Sequence, residues 1–176
     1  SGEMNSNPQL KKSYATPLVV PVDGEDQLIS VGPNWLYGYA PSTGKELWKL
    51  KFGNLGFSLS ARMVTGHGLL FFSTGFMRAE ILVVRPGGRN APEIVWRYGK
   101  GVPTMASPLL VEDELYFVSD SGGMLTSLDA KSGRENYRER LGGDHNASLL
   151  HADGRIYVLG RSSATDVIAP GPVFKK

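Results

Sequence analysis

Four times along this chain a pair of small residues precedes an apolar segment: Ala15-Thr16, Ser60-Ala61, Ala106-Ser107 and Ala147-Ser148, with first members 45, 46 and 41 residues apart. A self-similar period of that length signals stacked or radially arranged supersecondary units. Each period reads as several short runs rich in β-branched and aromatic residues, cut by Gly, Pro, Asn and Asp breakers, with no helical stretch between them. The matching architecture is all-β: a β-propeller portion of about four four-stranded blades around a central channel. The small pairs then mark the innermost strands, which crowd at the axis.

Residues 1–13 read as a tag or linker, 14–52 as blade 1, 53–99 as blade 2, 100–141 as blade 3 and 142–176 as an incomplete blade 4. In blade 1, strand A runs over Tyr14 to Val20, B over Gln27 to Val31, C over Trp35 to Ala40 and D over Lys45 to Lys51. Strand A is expected over Ser58 to Val64 in blade 2 and over Thr104 to Val111 in blade 3. Alternation in Glu46 to Lys51 is imperfect, as suits an outer strand with one exposed edge guarded by lysines. Blade 4 stops before its outer strand. The chain therefore reads as part of a larger, seven- or eight-bladed ring, as a ring closed by its N-terminal segment, or as half of a ring completed by a second copy; the first reading is preferred.

Composition removes several function classes. Nineteen Lys and Arg stand against 17 Asp and Glu, a formal charge of +2 with both signs scattered, so no stripe for nucleic acid or polybasic membrane patch stands out. No apolar run approaches the roughly 18 to 20 residues that cross a bilayer as a helix. The absence of cysteine excludes disulfides, thiolate chemistry and thiolate metal sites, and is compatible with any redox compartment.

Tyr39 to Trp48, with Pro41-Ser42-Thr43-Gly44 before Leu47-Trp48, and its partial copy Leu128 to Tyr137, with Lys131-Ser132-Gly133 before Asn136-Tyr137, resemble the repeat of the pyrroloquinoline-quinone-like β-propellers, apolar-Asp-x-x-Thr-Gly-x-x-x-Trp. Physically, Gly44 and Gly133 close the C to D turns with a positive φ, and Trp48, Trp96 and Tyr137 dock a large face between neighbouring blades. The resemblance implies one of two classes. Quinoprotein oxidoreductases hold the quinone and a calcium ion at the ring centre, and many add a vicinal cysteine pair. This chain has no cysteine and no evident cluster of oxygen ligands, so quinone and calcium enter only if further blades supply their ligands. The other class comprises non-catalytic bacterial propellers, such as the lipoprotein of the outer-membrane barrel-assembly machinery. The sequence looks closer to that class, which implies an extracytoplasmic scaffold for a protein or polymer ligand.

No catalytic or metal-ligating residue is assigned. Asp144, His145 and Ser148 suggest a triad, but adjacent residues on a strand point to opposite faces and no nucleophile elbow is present. His145 follows Gly142-Gly143 ahead of the fourth inner strand and reads as a solvated loop histidine or, with Asp144, a group at the channel mouth. Arg62 stands where other units have Pro17, Pro108 and Leu149, and either lines the channel or escapes to solvent. Phe57, Phe76, Met77 and Arg78 form a candidate loop surface whose alternative role is to plug the core.

Overall fold

The computed structural model describes residues 6–176. Three complete four-stranded antiparallel blades follow one another: β1 to β4 (Leu18–Val22, Glu25–Gly32, Trp35–Tyr39, Glu46–Lys51), then β6, β7, β9 and β10 (Val64–Gly66, Leu69–Ser73, Ile81–Arg85, Glu93–Tyr98), then β11 to β14 (Leu109–Val111, Glu114–Val118, Met124–Asp129, Glu135–Arg140). Blade 4 has three strands, β15 to β17 (Leu150–Ala152, Arg155–Leu159, Thr165–Ile168). A separate two-stranded ribbon, β5 (Gly56–Phe57) with β8 (Phe76–Met77), joins two loops of blade 2.

Burial follows position in the arc. Strand β7, Leu-Leu-Phe-Phe-Ser, is buried at every residue, and β12 at all but its first, because a blade covers each face. Strand β2 alternates, with Gln27, Ile29 and Val31 buried and Leu28 and Ser30 half-buried, because only one face of blade 1 is covered. The core is three interblade layers. The first joins Val20, Ile29 and Leu36 to Leu70, Phe72 and Leu82; the second joins Phe71 and Val83 to Leu115 and Phe117; the third joins Tyr116 and Val118 to Ile156 and Val158.

The innermost strands are shorter than expected: β6 begins at Val64 and β11 at Leu109. The residues just before them serve the axis instead. The Arg62 amide donates to Ser107 Oγ at 2.8 Å, and the Ser107 amide to Ser148 Oγ at 3.0 Å, so the small pairs supply hydroxyls that tie blade 2 to 3 and 3 to 4. Arg62, which stands in register with Ser107 and Ser148, has no hydroxyl, so among the described residues the relay does not continue to blade 1.

The stretch read as a tag or linker, where it is described, is not a trailing segment. Pro8–Lys11 forms a 3-10 turn capped by Asn7, whose side chain accepts the Gln9 amide at 3.0 Å. Residues 12–14 then run beside 57–59: Ser58 donates to the Lys12 carbonyl, Tyr14 donates to the Leu59 carbonyl, and Ser13 forms a parallel bridge with Leu59. Residues 1–5 lie outside the described residues.

Candidate functional site

Each complete blade slips by one residue in its C to D pairing, and the slip falls beside the docking aromatic. Gly38 pairs with Trp48 but Tyr39 with Glu46; Ile94 pairs with Val84 but Trp96 with Val83; Ser127 pairs with Tyr137 but Leu128 with Glu135. The extra residues are Leu47, Val95 and Asn136, and each bulge re-aims the aromatic that follows it. This accounts for the imperfect alternation of Glu46 to Lys51.

Trp48 is sandwiched between blades. A Cβ on Gly38 of its own blade would stand 2.3 Å from the ring, and one on Gly87 of blade 2 would stand 2.7 Å away. Its Nε1 donates to Gln27 Oε1 at 2.7 Å, and Gln27 Nε2 donates to the Gly87 carbonyl at 2.9 Å. The buried glutamine thus bridges the indole N–H to the backbone of the long loop 86–92. A cleft of about 760 Å³ runs along this dock, floored by Trp48 and Leu47 and closed by the loop, whose Arg89 amide donates to Asp23 Oδ2. Sequence reasoning missed Gln27; the signal was an amide in register with Ile29 and Val31 on an otherwise apolar strand face.

Trp96 makes the simpler dock. Its Nε1 donates directly to the Ala130 carbonyl of blade 3 at 3.1 Å, its ring meets Phe71 edge-on at 6.3 Å, and Gly133, at φ +72°, lies under it. That turn is set by Asp129, whose Oδ1 accepts from Ser132 Oγ at 2.6 Å and Ser132 N at 2.8 Å. The hydroxyl bond, then the amide bond, hold the Asp129 carboxyl below its ordinary value. A depressed carboxyl stabilises the fold above the carboxylate range, and the contribution is lost as pH falls through its folded value. Blade 1 has Ala40 in the place of Asp129, with Thr43 in the place of Ser132. Ala40→Asp is expected to raise stability by about 0.5–1 kcal/mol, read as a higher urea midpoint with unchanged slope. Tyr137 packs its ring edge-on against Phe174 at 5.6 Å.

His145 is neither a solvated loop residue nor a channel-mouth group: it is 2% exposed. Its Nδ1 stands 3.1 Å from the Leu159 carbonyl and its Nε2 3.0 Å from that of Gly142, while its amide donates to the Asp120 carbonyl, so it ties blade 3 to blade 4. Its neighbours Gly123 and Gly160 leave the room that admits the ring. His145→Phe is expected to cost about 1–3 kcal/mol, the penalty for buried acceptors left unpaired, measured by chemical denaturation. Asp144 is exposed and its carbonyl accepts the Arg161 amide. Asp144, His145 and Ser148 make no mutual side-chain hydrogen bond among the described residues, and Ser148 serves the axial relay. Arg62 is exposed beside the axial hydroxyls.

The structure brings Phe57 and Phe76 together. They pair across the β5 and β8 ribbon with rings edge-on at 5.7 Å. Phe76 is 57% exposed and Met77 74%, and Met77 adopts φ +88°, a left-handed conformation that turns a large apolar side chain outward. Arg78, next in the chain, reaches Glu80 at 3.2 Å, and Arg97 approaches the same carboxylate at 3.9 Å. Phe57, Phe76, Met77 and Arg78 are thus one ribbon surface and not a core plug. Among the described residues no group of three or more His, Asp or Glu side chains is placed to hold a metal ion. No described helix is long and apolar enough to cross a membrane.

Blades docked through outer-strand aromatics onto the next blade's C to D turn define a quinoprotein-like β-propeller. The chain belongs to the family described as outer membrane protein assembly factor BamB, whose model matches residues 34–169. Similar solved structures include BamB from Moraxella catarrhalis, at 14% identity and a TM-score of 0.61 over 85% of this chain and 46% of that one. The quinohemoprotein alcohol dehydrogenase ADHIIG from Pseudomonas putida HK5 matches at 14% identity and a TM-score of 0.63, over 86% of this chain and 29% of that one. A europium-containing methanol dehydrogenase matches at 17% identity and a TM-score of 0.56, over 76% and 25%. This chain therefore spans less than half the length of each. No curated protein matches the chain.

Proposed function

We propose that this chain is the non-enzymatic, extracytoplasmic scaffold portion of a bacterial propeller, and that its β5 and β8 ribbon binds a protein segment. The observation that carries this reading is the ribbon itself: adjacent exposed Phe76 and Met77, with Phe57 behind them and a left-handed Met77. Large apolar side chains held outward on a rigid support suit partner contact. An extended segment with alternating apolar residues fits such a ribbon, pairing along its edge and burying its side chains against the rings. Membership in a family described as an outer membrane assembly factor supports the extracytoplasmic placement.

The test is a double variant, Phe76→Ser with Met77→Ser. Both side chains are exposed, so stability is expected to stay within about 0.5 kcal/mol of the parent. Affinity for extended peptides of alternating apolar residues, measured by fluorescence anisotropy, is expected to fall at least tenfold. Parent binding that the variant retains would remove the ribbon as the site. The likeness to a quinohemoprotein alcohol dehydrogenase and a methanol dehydrogenase supports a second reading, a portion of an oxidoreductase. Added quinone with calcium separates the two: any ligand selective for the native state stabilises it by about 2.7 kcal/mol at a hundred times its Kd, several degrees in melting temperature for a domain of this size. No shift is expected, and a shift would favour the oxidoreductase.

A further inference from the structure

The dock between blades 1 and 2 is built differently from the dock between blades 2 and 3. At Trp96 the turn between β13 and β14 has five residues, Ala130 to Arg134; Gly133 lies against the ring and the Ala130 carbonyl takes the indole N–H directly. At Trp48 the loop between β9 and β10 has seven residues, Pro86 to Pro92, and buried Gln27 bridges it to the indole. Beside that bridge lies the cleft of about 760 Å³, within the range of small-ligand sites, about 300–1,000 Å³.

The walls of this cleft carry opposite charge. On the blade 1 side stand Asp23 and Glu25, at the turn between β1 and β2; on the blade 2 side stand Arg89 and Asn90. Asp23 is partly committed, since its Oδ2 accepts the Arg89 amide at 2.7 Å and ties the loop to blade 1. The other three polar side chains are exposed and uncommitted: among the described residues the Glu25 carboxylate, the Arg89 guanidinium and the Asn90 side-chain amide have no hydrogen-bond or ion-pair partner. Between the walls the floor is apolar, with Leu47 45% exposed beside Pro92. A ligand that is only anionic or only cationic is repelled by one wall. Gly38 and Gly87 already enclose the Trp48 ring, so the floor suits an aliphatic group and offers no platform on which a sugar ring could stack.

We infer that this cleft binds a short peptide with free termini, its ammonium group at Glu25, its carboxylate at Arg89 and Asn90, and an aliphatic side chain on Leu47 and Pro92. The guanidinium fork matches a carboxylate, the Asn90 amide adds a donor, and the Glu25 carboxylate accepts from an ammonium group. The site lies at the other end of the blades from the ribbon: it is made by the connections β1 to β2 and β9 to β10, whereas β5 and β8 sit in the connections β4 to β6 and β7 to β9. The inference is therefore independent of the ribbon's binding role.

The test titrates the tripeptide Ala-Leu-Ala into the chain and follows the NMR signals of the Trp48 indole N–H and the Gln27 side-chain amide. Both are expected to shift saturably while the Trp96 indole signal stays in place. Acetylating the N-terminus or amidating the C-terminus is expected to weaken binding about two- to fivefold, the range for exposed charge pairs. Two variants assign those effects: with Glu25→Gln the free and acetylated peptides are expected to bind alike, and with Arg89→Gln the free and amidated ones. Both side chains are exposed, so neither substitution should disturb the fold. The Phe76→Ser, Met77→Ser variant is expected to bind the peptide as the parent does. An absence of saturable shifts, an affinity indifferent to both blocking groups, or variants that keep the parent's discrimination would overturn the inference. Loss of binding in the ribbon variant would overturn it too, by moving the peptide to the ribbon.

Discussion

Trp96→Ala is expected to destabilise the protein by about 3 kcal/mol, the lower end of the range for truncating a large aromatic in a packed site, because the indole is part-buried. The loss has three components with one geometric origin. Phe71 loses its edge-on partner, the Ala130 carbonyl loses its donor, and the surface over Gly133 opens to water. The bulge at Val95 exists to aim this ring, so the neighbours cannot follow the truncation inward without undoing the C to D pairing. Urea unfolding should show a lower midpoint at nearly constant slope. A loss below about 1 kcal/mol would mean that blades 2 and 3 are held by their aliphatic layer alone. Trp96→Phe separates the components, since it restores a ring but no N–H, and should recover roughly half of the loss.

Gly133→Ala and Gly44→Ala should differ sharply although the two turns share their backbone. At both, a methyl group at positive φ costs about 1–2 kcal/mol. Only at Gly133 does the new Cβ also meet a ring, 2.7 Å from Trp96 Cδ2, which adds an overpacking cost of about 1–3 kcal/mol. Thermal melts of the two variants should therefore separate by several degrees, with Gly133→Ala the less stable. The contrast reads the dock in isolation from the turn. Equal losses would show that the indole shifts aside without cost.

Much of this was legible in the residues. The small-pair period, the breaker glycines and the runs of β-branched residues follow chain geometry that any blade must satisfy, so the repeats, the turns at Gly44 and Gly133 and the aromatics at 48, 96 and 137 could be read without coordinates. The surface of Phe57, Phe76 and Arg78 was legible as residue types but not as a ribbon, because β5 and β8 are two residues each and lie on different loops. His145 was misread because local sequence places it in a glycine-rich loop, whereas its burial depends on carbonyls 14 residues ahead and three behind.

Local periodicity and turn chemistry act over a few residues, and the sequence by itself therefore determined the all-β repeat and the places where blades turn. Burial and partner choice act between residues some 30 to 65 apart, such as Gln27 with Gly87 or Asp23 with Arg89. Only the tertiary structure could decide that an amide bridges one indole and a bare carbonyl holds the other, and that serine hydroxyls stitch the axis. Those outcomes depend on loop length and on which blade lies alongside, and neither is written in any single repeat.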